Sequence, residues 1–290
     1  MTPEIAAQVF RKIKELGCYS VHIGGGEPFL DTVALENVIK VARDESIHIE
    51  YIETNSSWYR DEESVTEILF AIKKAGVSTL LISISPFHNE HIPFKKVKGV
   101  IRACKRAGIS TFLWIPEFYP EIDQFDDQLK HTLDEYRQKF GDDYVKRIPS
   151  RYWIHFGGRA LKTFREKFPL QPLRAILENS GRCRELTDTT HFHVDLFGNY
   201  IPGLCSGLAI QIQDLGKPLD PDKYPFINML FSEGIKGFLK LAQERYGFIP
   251  GDQYFSKCDL CLEIRQFLAN EKRIPSHELE PREFYQHIED

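Results

Sequence analysis

Four short runs rich in β-branched and aromatic residues, 19–23, 48–52, 79–84 and 111–115, recur about 30 residues apart, the length of one strand-plus-helix unit. Helical patterns fill the intervals. Val65, Ile68, Leu69 and Ile72 share one apolar face, Asp31 and Asp61 stand where N-caps belong, and Gly76 and Gly108 stand where helices stop. Ahead of the first run, Thr2 as N-cap, Pro3, then Ile5, Val9, Phe10, Ile13 and Leu16 with Gly17 as a stop describe a helix buried on one side. A further run, 152–156, reads as a fifth strand. This alternation specifies an α/β fold, a parallel sheet or partial (β/α) barrel, in which ligand chemistry gathers at the carboxyl ends of the strands.

Beyond about residue 160 the pattern changes to Pro-punctuated helices and a hairpin, 191–195 with 200–201, turning at Gly198 and Asn199. The expected organisation is a core over 1–160, a smaller α+β module over 161–270 and a charged tail over 271–290. With 42% hydrophobic residues in a chain of 290, a sizeable core is assured and intrinsic disorder is excluded. A formal charge of -5 without a basic block argues against nucleic acid and anionic lipid as partners. No apolar run reaches the roughly 18 residues of a membrane span and no signal-peptide pattern opens the chain, so a soluble, cytoplasmic protein is expected. Six cysteines in that reducing compartment read as thiols, metal ligands or catalytic groups.

The strand ends supply the candidates. After the first run come Gly24, Gly25, Gly26, Glu27 and Pro28; after the second, Thr54 and Asn55; after the third, Ser83, Ser85 and His88. Three glycines let a backbone approach a ligand closely, and a carboxylate beside them suits a positive amine; an ordinary glycine turn is the alternative. Set in this order of strands, Gly-Gly-Glu-Pro resembles the motif of radical S-adenosylmethionine (radical SAM) enzymes that receives the cofactor's methionine amine. The resemblance covers roughly residues 2–158. It implies that Gly25, Gly26, Glu27 and Pro28 hold the methionine end, that Thr54 and Asn55 lie close to the cofactor, and that Ser83 and Ser85 contact its ribose or carboxylate. Polar satisfaction at a strand end accounts for the serines equally well, and Thr54 and Asn55 also suit a turn. His88 and His91 read as solvated loop histidines. Arg159, after Gly157 and Gly158, resembles a segment of relatives with an extra cluster domain, a surface ion pair being the alternative.

That family binds its reactive 4Fe-4S cluster with a CxxxCxxC set upstream of the helix preceding the glycine loop. These 290 residues contain no such set, and Met1 falls where that helix begins, so the expected core is N-terminally truncated. Cys18, at a helix–strand junction, and Cys104, in phase with Val97, Val100 and Ile101, read as buried hydrophobes.

The other four cysteines, Cys183, Cys205 and the pair Cys258 and Cys261 in a CxxC, fall in the smaller module and suffice for one closed tetrathiolate site, of zinc or of iron and sulfur. The stretch from Phe192 to Cys205 resembles the twitch or SPASM extensions of radical SAM enzymes, which implies one auxiliary 4Fe-4S cluster; a structural zinc knot is the alternative. His191 and His193 beside it read as strand residues rather than ligands. The resemblance implies S-adenosylmethionine as cofactor, a 5′-deoxyadenosyl radical that abstracts hydrogen from a small-molecule or peptide substrate, and an electron donor such as flavodoxin or ferredoxin. The rival from another class is a noncatalytic binding protein on a degenerate core with a structural metal site.

Overall fold

A computed structural model describes residues 1–288. The chain divides into two compact units, Met1–Tyr152 and Trp153–Asp290, a little ahead of the boundary near residue 160.

The first unit is a four-stranded parallel sheet in the order β1 (Ser20–Ile23), β2 (His48–Thr54), β3 (Thr79–Ser83) and β4 (Ser110–Trp114). Each connection carries helix: α2 (Thr32–Asp44), α3 (Glu62–Ala75), and α4 (Pro86–Asn89) followed by α5 (Phe94–Ala107), with α1 (Pro3–Glu15) ahead of β1. Right-handed crossovers that always step to the next strand in one direction place every helix on the same face. Accordingly α1 packs on α2, α2 on α3 and α3 on α5. The apolar stripes meet there: Val9 and Ile13 of α1, Leu35 and Ile39 of α2, Leu69 and Ile72 of α3 and Val100 of α5 are buried with Ile52, Leu80 and Ile82 of the sheet.

The helix boundaries follow the local chemistry of the chain. Thr2, Asp31 and Asp61 accept N-cap hydrogen bonds from Ile5, Ala34 and Ser64, while Gly76 and Gly108 end α3 and α5 in the left-handed region. Gly99 of α5 has a different cause, since a Cβ there would fall 2.2 Å from the Tyr59 ring.

The expected fifth strand does not form. Residues 152–156 run without ladder partners among the described residues, because Phe156 packs edge-on against Phe164 and Phe255 instead of joining a sheet edge. The described sheet is therefore four-stranded and open.

The second unit has a three-stranded antiparallel sheet (His193–Val194, Asn199–Ile201, Ile210–Gln211), a two-stranded one (Gln171–Pro172 with Gln253–Tyr254), and the helices Pro225–Ser232, Gly234–Tyr246 and Lys257–Gln266. The expected hairpin is present: Asp195 accepts from the Phe197 and Asn199 N–H groups, and Gly198 takes φ 83°. The C-terminal stretch is core and not a tail laid over the body, since Leu279, Tyr285 and the carboxylate-bearing Glu278 are all buried. Among the described residues no helix is long and apolar enough to cross a membrane.

Candidate functional site

β1 opens directly into the glycine loop. Gly25 and Gly26 take φ of 78° and 55°, a conformation that L side chains enter at a cost of about 1–2 kcal/mol, and both are exposed. The loop is clamped from β2. Glu27 accepts the Thr54 hydroxyl at 2.9 Å, the Asn55 N–H at 2.8 Å and the Phe29 N–H at 3.2 Å, the last as N-cap of the turn Pro28–Leu30. Thr54 in turn accepts the Ser56 N–H and the Trp58 indole N–H, and Trp58 stacks on Phe29 at 4.4 Å. Burial pushes the Glu27 carboxyl upward, while the hydrogen bonds from Phe29, Asn55 and Thr54 oppose the shift. Three protein donors occupy most of the roughly four acceptor positions of a carboxylate, so Glu27 chiefly fixes the loop to the end of β2.

A second carboxylate stands against Gly24. Glu53 fills the place where a Cβ on Gly24 would lie, 2.8 Å from its Oε2, and its Oε1 is 3.3 Å from His22 Nε2. The His22 ring stacks on Tyr51 at 4.8 Å, and Tyr51 meets Phe112 edge-on at 5.1 Å. These residues occupy the sheet face opposite the helices. Sequence reasoning passed over Glu53 and His22, although a glutamate inside a parallel strand, where both faces are ordinarily apolar, was a usable signal.

Of the serines, Ser85 is engaged by the protein: it N-caps α4, and its hydroxyl lies 2.7 Å from His88 Nδ1. His88 is not a solvated bystander, because burial pushes its imidazole below the usual range. Ser83 ends β3 opposite Trp114 of β4.

In the second unit, Cys183, Cys205, Cys258 and Cys261 line one cavity of about 40 Å³, together with Lys257 and Arg265. Cys258 and Cys261 sit three apart in the first turns of the helix Lys257–Gln266, capped by Ser256, so both thiols share a face. Cys183 precedes the turn Arg184–Thr187 and Cys205 follows the turn Pro202–Leu204. Lys257 Nζ stands 3.9 Å from Cys183 Sγ and 2.5 Å from Glu185 Oε1. Burial pushes the Cys183 and Cys205 thiols up to about 12 and raises Cys258 as well. Among the described residues no three His, Cys, Asp or Glu side chains converge closely enough to hold a metal ion as they stand. The donor set itself, four soft sulfurs on one cavity with two cations beside them, suits zinc or an iron–sulfur centre.

Residues 1–136 match the radical SAM superfamily. The match contains the glycine loop, Thr54, Asn55, Ser83 and Ser85, whereas all four cavity cysteines lie beyond it. No curated protein matches the chain. Gly25 and Gly26 leave an open, left-handed backbone at the carboxyl end of β1, with nothing within 4 Å of where a Cβ would stand. The matched segment, residues 1–136, contains no CxxxCxxC set. Its two cysteines are spent on structure: Cys18 donates to the Ser20 carbonyl, and Cys104 is fully buried in α5 with its thiol pushed up to about 12.

Proposed function

We propose that this chain provides the S-adenosylmethionine cradle and an auxiliary 4Fe-4S centre of a radical SAM enzyme that acts on a small-molecule or peptide substrate. The observation that carries the reading is the exposed, left-handed Gly25-Gly26 backbone at the end of β1, locked to β2 through Glu27, inside a region that matches the superfamily. When bound beside a reducing cluster, S-adenosylmethionine supplies one-electron hydrogen-abstraction chemistry that no side chain can supply.

The chain's own residues position and shield. In this reading the backbone of residues 24–26 receives the methionine end, Glu27 and Pro28 hold that backbone in place, Thr54 and Asn55 fix Glu27, and Ser83 and Ser85 border the site. Glu53 and His22 add a polar pair beside Gly24, and Tyr51 and Phe112 offer an apolar wall that keeps water from a bound substrate. Cys183, Cys205, Cys258 and Cys261 would hold the auxiliary centre, which would supply electron-transfer chemistry, and an electron donor such as flavodoxin or ferredoxin would serve the enzyme.

A binding protein that keeps the cradle and a structural metal site is the second reading of the same geometry. Calorimetry with S-adenosylmethionine on this chain, followed by an assay for 5′-deoxyadenosine after anaerobic reduction of a longer chain that also carries a CxxxCxxC segment, separates the two. Binding with release of 5′-deoxyadenosine is the expected result for the enzyme. Binding without release transfers the case to the binding protein, and no binding removes the cradle from both.

A further inference from the structure

Arg265 is the one lysine or arginine buried among the described residues, 6% exposed, and no carboxylate there pairs with it. A buried guanidinium without a counterion is costly, so its charge calls for a partner that the rest of the protein does not provide. Two acceptors fix its orientation: Nη1 donates to the Ser206 carbonyl at 2.7 Å and to the Tyr285 hydroxyl at 3.1 Å. Nε, equally buried, has no hydrogen-bond partner. The helix Lys257–Gln266 places Cys258, Cys261 and Arg265 three and four residues apart on one stripe, and all three line the thiol cavity. Lys257, the other cation there, is half-buried and already paired with Glu185.

Four thiolates around a divalent metal, or around an oxidised 4Fe-4S cluster, carry a net dianionic charge. We infer that Arg265 is the charge partner of that centre: its buried, fixed guanidinium, with the Nε–H left over, lines the same cavity and offsets the negative charge of the ligated sulfurs. The inference rests on the proposed cysteine centre and deepens it. Arg265 is a positioning residue, acting through the sulfurs and not on a substrate.

Cobalt(II) alone, titrated anaerobically into the reduced full chain against a competing chelator, tests this without any enzymatic activity. Wild type is expected to show a thiolate-to-cobalt charge-transfer band. Arg265→Gln should show the same band with affinity lowered about tenfold to hundredfold, the usual loss when an outer-sphere partner of a metal ligand is removed. Arg265→Lys, which keeps the charge but not the fixed donor, should bind more weakly than wild type and more tightly than Arg265→Gln. Tyr224→Phe, which loses a buried hydroxyl bonded to Asp214 and does not line the cavity, serves as the structural control: it should lower the melting temperature of the metal-free chain and leave cobalt affinity near wild type. If Arg265→Gln binds as tightly as wild type, the role of Arg265 is overturned while the cysteine centre stands. If wild type gives no thiolate band, the centre falls and Arg265 with it. Should Arg265→Gln not fold, Arg265→Lys decides alone, and affinity equal to wild type overturns the inference.

Discussion

The carboxylate of Glu53 occupies the space that a side chain on Gly24 would fill, and from there it reaches His22. A glycine at position 24 is thus a requirement of β2 and not of the loop's own turn, whereas Gly25 and Gly26 answer to backbone angle. The two causes predict different results. Gly26→Ala should lose about 1–2 kcal/mol of stability, the left-handed cost of an L residue. Gly24→Ala should lose less, because Glu53 can swing aside, and should release His22, seen as a shifted imidazole resonance in NMR. Equal stability losses without movement at His22 would contradict this division.

Thr54 bears the loop's polar network. Thr54→Val removes the donor to Glu27 and leaves the Ser56 N–H and the Trp58 indole N–H without their acceptor, so a loss of about 3 kcal/mol is expected. Urea unfolding followed through Trp58 fluorescence measures it. A loss under about 1 kcal/mol would mean that water replaces the hydroxyl at both donors.

Glu278 gives the second unit a pH dependence with a definite sign. Its carboxylate accepts the Phe226 and Ile227 N–H groups, yet burial dominates and pushes the carboxyl up to about 7. The folded state therefore holds this proton more tightly than the unfolded chain does. Its contribution is fully present below the ordinary glutamate value of 4.5 and is lost as pH rises through about 7, a span of about 3 kcal/mol. Denaturation midpoints of wild type and Glu278→Gln at pH 5 to 8 should diverge, with wild type losing stability relative to the variant as pH rises. Parallel curves would show that Glu278 does not titrate in this range.

Gly99 accommodates Tyr59, so Gly99→Ala should cost about 1–3 kcal/mol through overpacking. Tyr59→Leu should recover part of that loss in the double variant. Additive effects in a double-mutant cycle would show that the two residues do not compete for the same space.

Cys258→Ala and Cys261→Ala should each abolish the iron–sulfur absorption of anaerobically reconstituted protein. Retention of the full spectrum in either variant would remove that cysteine from the centre.

Local grammar was the readable part of this chain. The caps Thr2, Asp31 and Asp61, the stops Gly76 and Gly108 and the Asp195–Asn199 turn act within a few residues of themselves, so pattern alone locates them. The same holds for the glycine loop, whose neighbours in sequence carry its signature. What stayed hidden depends on partners distant along the chain. Alternation suggested a strand at 152–156, but Phe164 and Phe255 decide where Phe156 goes. Arg265 among the cysteines is likewise invisible until the chain is folded, and Glu53, though marked as a carboxylate inside a parallel strand, shows its place over Gly24 only in the fold. Glu27 shows the opposite limit: its position was legible, but the Thr54 and Asn55 donors that occupy its carboxylate were not.

The strictly sequential order of the sheet has a kinetic consequence. Every pairing, β1 with β2, β2 with β3 and β3 with β4, closes a loop of about one strand–helix unit, near 3 kcal/mol of chain entropy each for some 30 residues. No strand waits for a partner from the far end of the chain, as it must in sheets whose order doubles back. The ladder can lengthen one unit at a time as the polypeptide emerges, with each new helix covering the strand before it, so hydrophobic edges are exposed only briefly while Met1–Tyr152 forms.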